Sequence, residues 1–294
     1  MGATGYDEIL PVKTHHEVYA AIDPQHHWKD QTYKGKVAFI TGASRGIGRA
    51  IALFYAKAGA SVAISARKQE TLQQTKDIIL KDVPHAQVGI FLADVKDPDA
   101  VALAVSGAVE QFGRLDVLIA NAAASLAFDT LMVDRDAKMW WNTFEVNLFG
   151  VYNFVKAAMM HLQRAHGHIV AVSSIGAQLR GRFASDYSIS KHALNRLVEF
   201  IAEVEYPEIK IFSFHPGGVR TELAISTRLE ELFGVEFNDP PELAAAATLC
   251  LTSGRYDWLN GRYYSVDWDI EEVERDWKDK ILEKELLVSK LAVS

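Results

Sequence analysis

Short apolar runs alternate with longer amphipathic segments along most of this chain, and this alternation is the feature that most limits its fold. The runs are rich in β-branched and aromatic residues and are mostly uninterrupted, as expected for strands buried on both faces. They lie at residues 36–41, 61–66, 87–93, 115–120, 168–174, 209–214 and 262–267. The helical segments lie near residues 47–58, 68–81, 98–112, 137–165, 186–205 and 240–253. The sequence therefore predicts a single-domain α/β fold, a doubly wound parallel sheet of about seven strands with helices on both faces.

The chain divides into three predicted regions. Residues 1–34 are polar and irregular and are interpreted as an N-terminal arm, residues 35–267 form the α/β domain, and residues 268–294 form a C-terminal helical extension. A helix over residues 269–291 would carry one apolar stripe, because apolar residues recur at spacings of three and four. The stripe consists of Ile270, Val273, Trp277 and Ile281. We expect this helix to dock, either on its own subunit or on a neighbour.

Composition argues against several classes of protein. The net charge of −7 over 294 residues disfavours a nucleic-acid groove, which needs a basic excess. The single cysteine, Cys250, excludes disulfides within the chain, and the ten histidines show no metal-ligand spacing, so we predict no metal. The sequence has no apolar run of membrane-spanning length and no secretory signal pattern in its first residues. We expect a cytoplasmic protein without a membrane or nucleic-acid partner.

A glycine-rich turn follows the first predicted strand, at residues 41–48 (TGASRGIG). In this position the first glycine permits a tight turn, and the later ones let the backbone approach a pyrophosphate at the N-terminus of the next helix. A glycine triplet alone is weak evidence, but its place between the first strand and the first helix favours dinucleotide binding. It is not a P-loop, because no Gly-Lys-Ser/Thr follows. The predicted cofactor contacts in this turn are Gly42, Ser44, Arg45, Gly46, Ile47 and Gly48.

The second predicted strand ends in Ala66, Arg67 and Lys68. An acidic residue at this tip would bind the ribose hydroxyls and favour NAD. Two cations, together with Arg45 on the adjacent turn, instead suit a 2′-phosphate, so we predict NADP(H). The alternative is that Arg67 and Lys68 are solvated residues at a helix start. Asp94 ends the third strand and would face the adenine edge, unless it only forms a turn.

A Tyr-x-x-x-Lys spacing places both side chains on one helical face. It occurs twice, as Tyr152 with Lys156 and as Tyr187 with Lys191, so the spacing alone does not identify the reactive pair. Reactive groups in open α/β sheets gather beyond the carboxyl ends of the strands. Tyr187 begins a helix soon after Ser174 at the end of the fifth strand, whereas Tyr152 lies well inside a long helix. We interpret Tyr187 as the reactive residue and Tyr152 as a residue that packs in its helix.

Together these motifs resemble the short-chain dehydrogenase/reductase family in its single-domain form, over roughly residues 33–267. Their order and spacing match, with Ser174 lying 13 residues before Tyr187. Outside the glycine turn, the matching residues are Asp94, Val95, Asn121, Ala122, Asn147, Ser174, Tyr187, Lys191, Pro216, Gly217, Val219 and Thr221. The resemblance implies a Rossmann fold, and it implies cofactor contacts at these positions except Asn147 and Ser174. One departure is that the usual Asn-Asn-Ala-Gly is replaced by Ala-Asn-Ala-Ala at residues 120–123.

The residue types suit carbonyl reduction, which needs a hydride and a proton. A phenol is a poor acid–base group at neutral pH, but a nearby ammonium, together with the positive charge of oxidised nicotinamide, favours the phenolate. Tyr187 is therefore the predicted proton donor and Lys191 the group that lowers its pKa. By resemblance, Lys191 also holds the nicotinamide ribose, and Asn147 positions a water that links Lys191 to solvent. The resemblance further implies that Pro216, Gly217 and Thr221 hold the carboxamide end of the cofactor. Ser174 would stabilise charge on the substrate oxygen.

The segment at residues 221–240 lies where this family places its substrate lid. Its apolar residues are Leu223, Ile225, Leu229, Leu232, Phe233 and Phe237. Other candidates for the substrate side are Ser125, Leu126, Gln178, Arg180, Phe183 and either Trp140 or Trp141. These residues predict a bulky, mostly apolar ketone. Arg180 and Arg182 would meet an anionic group or lie in a solvated loop.

The sequence thus favours an NADPH-dependent carbonyl reductase that also works in reverse as an alcohol dehydrogenase. Its terminal extensions look like those of fungal reductases, which suggests secondary metabolism. Family members pair through two long helices, here residues 137–165 and 186–205, so a homodimer or homotetramer is expected. The alternatives are reduction of a C=N or C=C bond, a guided cyclisation, or a non-catalytic NADP-binding regulator. An intact Ser174, Tyr187 and Lys191 disfavours the regulator.

Overall fold

The computed structural model describes residue 5 and residues 8–291. Seven parallel strands form one sheet in the order β3-β2-β1-β4-β5-β6-β7. They are β1 (Val37–Thr41), β2 (Ser61–Ala66), β3 (Val88–Leu92), β4 (Val117–Ala120), β5 (His168–Val172), β6 (Lys210–His215) and β7 (Tyr263–Ser265). This arrangement confirms the predicted fold class. The order reverses between β1 and β4, and a crevice forms beyond the carboxyl ends at such a point.

Helices cover both faces of the sheet. They are α1 (Gln25–Asp30), α2 (Gly46–Lys57), α3 (Gln69–Asp82), α4 (Pro98–Phe112), α5 (Ala137–Phe144), α6 (Gly150–Ala165), α7 (Ser185–Phe200), α8 (Glu222–Ser226), α9 (Leu229–Phe233), α10 (Pro241–Leu251), α11 (Ile270–Glu272) and α12 (Lys278–Glu283). Short 3₁₀ turns lie at Ala20–Ile22, Met132–Asp134, Ile175–Ala177 and Asp257–Leu259. Wider π turns lie at Glu145–Phe149, Ile201–Glu205 and Val273–Trp277.

Two apolar cores lie on opposite faces of the sheet. Successive side chains of a strand point to opposite faces, so Phe39 joins the core beneath α4, α6 and α7. Its neighbour Ile40 joins the core beneath α2, α3 and α10. Every residue of β1 is buried, because both faces of the sheet are covered. This double burial explains why the strands appear in the sequence as nearly continuous apolar runs.

Both terminal segments contribute to the core beneath α2 and α10. Leu10, Ile22 and Tyr33 are buried there. The region predicted as an irregular arm therefore contains a 3₁₀ turn, helix α1 and three core residues; its residues 1–4, 6 and 7 lie outside the described part. The three-region division of the chain stays a prediction.

The C-terminal helix begins as predicted and ends early. The Asp269 side chain accepts hydrogen bonds from the backbone N–H groups of Glu271 and Glu272, which makes it an N-cap. The predicted stripe docks on its own chain, with Ile270, Val273 and Ile281 fully buried.

The prediction of a helix to residue 291 is wrong, because helical structure stops at Glu283. Glu285 and Leu287 adopt positive φ angles, which an α-helix does not accommodate. The Leu287 carbonyl instead accepts a hydrogen bond at 2.9 Å from the backbone N–H of Tyr263 in the edge strand β7.

Candidate active site

A cavity of about 1230 Å³ lies at the carboxyl ends of the strands, where the strand order reverses. Every residue predicted to contact the cofactor lines it. These residues are Gly42, Ser44, Arg45, Gly46, Ile47, Gly48, Arg67, Lys68, Asp94, Val95, Asn121, Ala122, Tyr187, Lys191, Pro216, Gly217, Val219 and Thr221. Ser174 lines the same cavity, so three of the four predicted catalytic residues share it with the glycine turn.

The glycine turn fits a pyrophosphate because it offers backbone without side chains. Gly42 has a φ angle of +63°, which an L side chain rarely adopts. A Cβ atom on Gly48 would lie 2.5 Å from the carbonyl oxygen of Gly42, so any larger residue would push the turn apart. Helix α2 begins at Gly46, and its free N–H groups and dipole favour an anion there.

Thr41 ties the turn to the end of β4. Its Oγ1 accepts hydrogen bonds from the backbone N–H groups of Asn121, at 2.9 Å, and Ala122, at 3.0 Å. In return, the Asn121 side chain donates to the Thr41 carbonyl at 3.0 Å. These bonds fix Asn121 and Ala122 at the cavity wall. Sequence reasoning selected those two residues but did not identify Thr41 as their anchor.

The adenosine end of the cavity carries cations. Arg67 and Lys68 are exposed at the tip of β2, where the first residues after the strand are cations rather than a carboxylate. Arg45 already has an acidic partner, since its guanidinium lies 2.8 Å from the Glu222 carboxylate at an exposed site. Asp94 Oδ1 accepts a hydrogen bond from the Lys96 N–H at 3.0 Å, so this carboxylate also holds the turn after β3.

Ser174 and Tyr187 flank the same small space. The Ser174 hydroxyl accepts a hydrogen bond at 3.0 Å from the backbone N–H of Gly176. A Cβ atom on Gly176 would lie 3.2 Å from Ser174 Oγ and 3.4 Å from the Tyr187 ring, so this glycine leaves room for both. Burial raises the pKa of Tyr187, and a hydrogen bond with Ser174 partly opposes that rise. The phenol is therefore protonated at neutral pH and able to donate.

Lys191 is buried beside this pair. Its Nζ donates a hydrogen bond to the Val172 carbonyl at 2.7 Å and lies 5.8 Å from the centroid of the Tyr187 ring. Burial lowers the pKa of Lys191 to about 7. In this structure the Lys191 amine donates to Val172, and burial has the largest effect on the pKa of the Tyr187 phenol. The expected lowering of that pKa by Lys191 together with oxidised nicotinamide stays a prediction.

Asn147 lies outside the cavity lining, which differs from the predicted catalytic placement. It belongs to the π turn between α5 and α6 and is fully buried. Its Oδ1 accepts from the Ala124 N–H at 2.8 Å, and its Nδ2 donates to the Ala124 carbonyl at 2.9 Å and to Ser190 Oγ at 3.0 Å. Both of its polar atoms are thus engaged in joining the loop after β4 to α7.

Among the residues predicted on the substrate side, Leu223 and Phe233 line the cavity, whereas Ser125, Gln178, Arg180 and Phe183 do not. The hydroxyl of Ser125 turns to the carbonyl of Leu126, and the guanidinium of Arg180 pairs with Glu8. The Gln178 backbone packs so closely on Gly5 that a Cβ atom there would lie 2.3 Å from its oxygen.

Phe183 has a φ angle of +66° and packs its ring against Phe233, with centroids 6.3 Å apart, so it supports the wall from outside. Leu229, Phe237 and Arg182 do line the cavity. Other residues predicted on the substrate side do not line it; they are Leu126, Trp140, Trp141, Ile225 and Leu232.

A buried ion pair that sequence reasoning did not select connects the loop after β4 with the loop after β5. Arg135 and Asp186 have side chains that are 4% and 0% exposed, with a nitrogen and an oxygen 3.9 Å apart. Arg135 donates to the carbonyls of Ala127 and Phe183, and Asp186 accepts from the Thr143 hydroxyl at 2.9 Å. Asp186 immediately precedes the predicted proton donor, so the pair lies in the first turn of the donor's helix.

The second Tyr-x-x-x-Lys pair does not reach the cavity. Tyr152 is 45% exposed, and its ring stacks on Phe149 with centroids 6.2 Å apart.

Within the described residues, no group of three or more His, Cys, Asp or Glu side chains is placed to hold a metal ion. In the same part of the chain, no helix is long and apolar enough to cross a membrane.

Residues 36–232 match the family profile described as short chain dehydrogenase. The chain belongs to the short-chain dehydrogenase family. It is 38% identical over 292 residues to a short chain dehydrogenase of Monascus purpureus, covering 96% of each chain. It is 34% identical to another from Monascus ruber, covering 97% of this chain and 94% of the relative. The protein is therefore an oxidoreductase of this family with fungal relatives, as the sequence motifs predicted.

Solved structures agree with this assignment. A carveol dehydrogenase from Mycobacterium avium in complex with NAD superposes with a TM-score of 0.72 at 27% identity, over 80% of this chain and 96% of that one. An alcohol dehydrogenase from the archaeon Thermococcus sibiricus, complexed with 5-hydroxy-NADP, gives 0.66 at 28% identity, over 74% and 89%. Similar folds in this family thus bind either nicotinamide cofactor.

Proposed function

We propose that this short-chain dehydrogenase uses NADPH to reduce the carbonyl of a bulky, mostly apolar small molecule to an alcohol, and that the reaction is reversible. The observation that carries the proposal is the shared cavity. Ser174, Tyr187 and Lys191 line it together with a glycine turn whose shape suits a pyrophosphate. A hydride donor and a proton donor would therefore meet in one space.

The chain's own residues account for the proton. NADPH, when bound, supplies the hydride. Tyr187 donates its phenolic proton to the substrate oxygen, and burial keeps that phenol protonated until it is needed. Ser174 donates a hydrogen bond to the same oxygen and stabilises the negative charge that develops there. Lys191 Nζ lies 5.8 Å from the centroid of the phenol ring, and its protonated form favours the phenolate that remains after transfer.

NADPH is proposed over NADH because of charge. Arg45, Arg67 and Lys68 line the adenosine end of the cavity, where a ribose-binding carboxylate would otherwise be expected. Arg67 is exposed at the wall and fits a 2′-phosphate through charge-assisted hydrogen bonds. The Arg45–Glu222 ion pair is exposed and is consequently weak enough to exchange for that phosphate.

The substrate half supports an apolar ketone. Apolar side chains from the loop after β4, the loop after β5 and the segment after β6 line it. They are Phe128, Leu179, Leu223, Leu229, Phe233, Val235 and Phe237. Two charged residues, Arg182 and Glu236, also line the cavity. They could accommodate a polar substituent on the substrate.

We also propose a cytoplasmic homodimer or homotetramer that acts in secondary metabolism. Helices α6 and α7 carry exposed apolar side chains such as Tyr152, Met160, Ile189 and Phe200, which suit pairing with a second copy. The Monascus purpureus relative matches over 96% of both chains, so it shares most of the terminal segments. Those segments look like the extensions of fungal reductases, which supports a role in secondary metabolism.

The direct test incubates the purified protein with NADPH or NADH and a panel of aromatic and polycyclic ketones, quinones and aliphatic aldehydes. Loss of reduced-nicotinamide absorbance reports turnover, and mass spectrometry identifies an alcohol two hydrogens heavier than the ketone. We expect turnover of bulky ketones with NADPH. Tight NADPH binding without any turnover across the panel would favour the non-catalytic regulator instead.

A further inference from the structure

Asp239 is a buried carboxylate directly behind the turn at residues 216–219, and this turn lines the cavity. Its side chain is 7% exposed. Its Oδ2 accepts a hydrogen bond from the backbone N–H of Gly218 at 2.6 Å, and its own N–H donates to the Gly218 carbonyl at 3.0 Å. Two hydrogen bonds in opposite directions therefore clamp Gly218 to Asp239.

The same carboxylate supports an unusual backbone conformation. Gly217 has a φ angle of +87°, in the left-handed region that only glycine adopts readily. A Cβ atom on Gly217 would lie 2.7 Å from Asp239 Oδ2, so the carboxylate fills the space where a side chain would be. Asp239 thus holds the shape of a turn whose residues Pro216, Gly217 and Val219 line the cavity.

The other oxygen of Asp239 is bound by the N-terminal segment. His16 Nδ1 lies 2.7 Å from Asp239 Oδ1, with the imidazole itself 70% exposed. A carboxylate only accepts, so Nδ1 of His16 is the donor. One carboxylate therefore connects residue 16 of the chain to the turn after β6.

Hydrogen bonds of the neighbouring residues Lys13 and His15 hold the segment that carries His16. The backbone N–H of His15 donates to the Asp267 carbonyl at 2.7 Å, and the Asp269 N–H donates to the Lys13 carbonyl at 2.9 Å. The His15 ring also binds Asp269 Oδ2 at 2.9 Å. The N-terminal segment is therefore hydrogen-bonded to residues 267–269, just beyond β7. This places His16 beside Asp239, behind the turn that lines the cavity.

We infer that Asp239 positions the nicotinamide end of the cofactor, and that His16 acts through Asp239, so the N-terminal segment helps set cofactor affinity. The inference rests on the proposed NADP(H) site. Neither residue lines the cavity, so both act through the turn at residues 216–219. Within the described part of the chain, the adenosine end, formed by the glycine turn and β2, makes no hydrogen bond or ion pair with either residue, and it is expected to be independent of them.

This difference between the two ends gives the test. Calorimetric titration is carried out on the full chain with NADPH and, separately, with an adenosine bisphosphate that carries the 2′-phosphate and lacks nicotinamide. Asp239→Asn keeps the size of the side chain and removes its charge. We expect NADPH to bind about tenfold more weakly, the effect of one lost charge-assisted hydrogen bond, while the fragment binds as before.

His16 variants test the second half of the inference. His16→Ala is expected to weaken NADPH binding by roughly threefold, because the bond is partly exposed. His16→Gln retains an N–H donor and is expected to restore most of that loss. His26→Ala is the matched control, since His26 lies in the same segment and its ring contacts the Asp23 carbonyl and the His27 ring rather than Asp239.

Three results would overturn the inference. Unchanged NADPH affinity in Asp239→Asn would show that the turn holds its shape without the carboxylate. Equal losses for NADPH and the fragment would show a general effect on stability rather than on the nicotinamide end. A wild-type chain that binds neither ligand would refute the proposed cofactor, and the inference with it. If Asp239→Asn does not fold, the His16 variants alone decide. Failure of His16→Gln to restore NADPH affinity would then contradict the inference.

Discussion

The Nζ atom of Lys191 lies 2.7 Å from the carbonyl oxygen of Val172, the last residue of β5. The side chain is almost fully buried, and burial lowers its pKa to about 7. An unfolded chain keeps the ordinary lysine pKa of about 10.4. Between these values the unfolded state binds a proton that the folded state lacks, so the free energy of unfolding rises with pH.

Replacing Lys191 by Met removes this titration. The wild-type free energy of unfolding minus that of Lys191→Met should therefore increase by roughly 1 kcal/mol per pH unit from about pH 7 to about pH 10. Urea unfolding at a series of pH values measures this difference, and other titrating groups cancel in it. A difference that stays flat would mean that Lys191 remains charged in the folded protein.

Arg67 is expected to decide between the two nicotinamide cofactors. Arg67→Ala should weaken NADPH binding by about 10- to 150-fold, equivalent to about 1.5–3 kcal/mol for a hydrogen bond to a charged group. NADH binding should change little, because NADH has no 2′-phosphate. Fluorescence titration with both cofactors measures the two affinities.

A matched control for that variant is Lys81→Ala, which removes a charge from the far end of α3. It should leave both affinities unchanged. Equal weakening of NADPH and NADH by Arg67→Ala would show that Arg67 has a structural role, and the NADP preference would lose its main support.

The C-terminal helix gives a stability prediction with a neighbouring control. Ile281 is fully buried in the core shared with α2 and α10, whereas the next residue, Leu282, is 42% exposed. Ile281→Ala should lower the free energy of unfolding by about 2–5 kcal/mol. Leu282→Ala should change it by less than about 0.5 kcal/mol. Similar, small effects of both in thermal or urea unfolding would mean that the helix does not dock as the structure shows.

Much of the fold was predictable because its signals are local. Strands buried on both faces appear as apolar runs such as residues 61–66, and a tight turn beside a helix start needs glycine at Gly42 and Gly48. The choice of Tyr187 over Tyr152 also followed from local order, since only Tyr187 comes just after a strand's carboxyl end. Each of these inferences used residues close together in the sequence.

The rest depends on contacts between distant parts of the chain. Arg135 reaches Asp186, and His16 reaches Asp239, through backbone paths that no periodicity describes. Several residues predicted on the substrate side do not line the cavity, and the reason is related. Whether Phe183 faces a cavity or supports its wall depends on a positive φ angle and on the ring of Phe233, neither of which the sequence specifies.

The most direct measurement is the rate of NADPH-dependent ketone reduction by Tyr187→Phe and Tyr152→Phe beside the wild type. The account predicts that Tyr187→Phe removes nearly all turnover and leaves NADPH affinity within a few fold, because only the phenolic proton is lost. Tyr152→Phe should keep a nearly wild-type rate, since its ring lies outside the cavity. A Tyr187→Phe enzyme that turns over at the wild-type rate, or an inactive Tyr152→Phe enzyme, would contradict the assignment of Tyr187 as the proton donor.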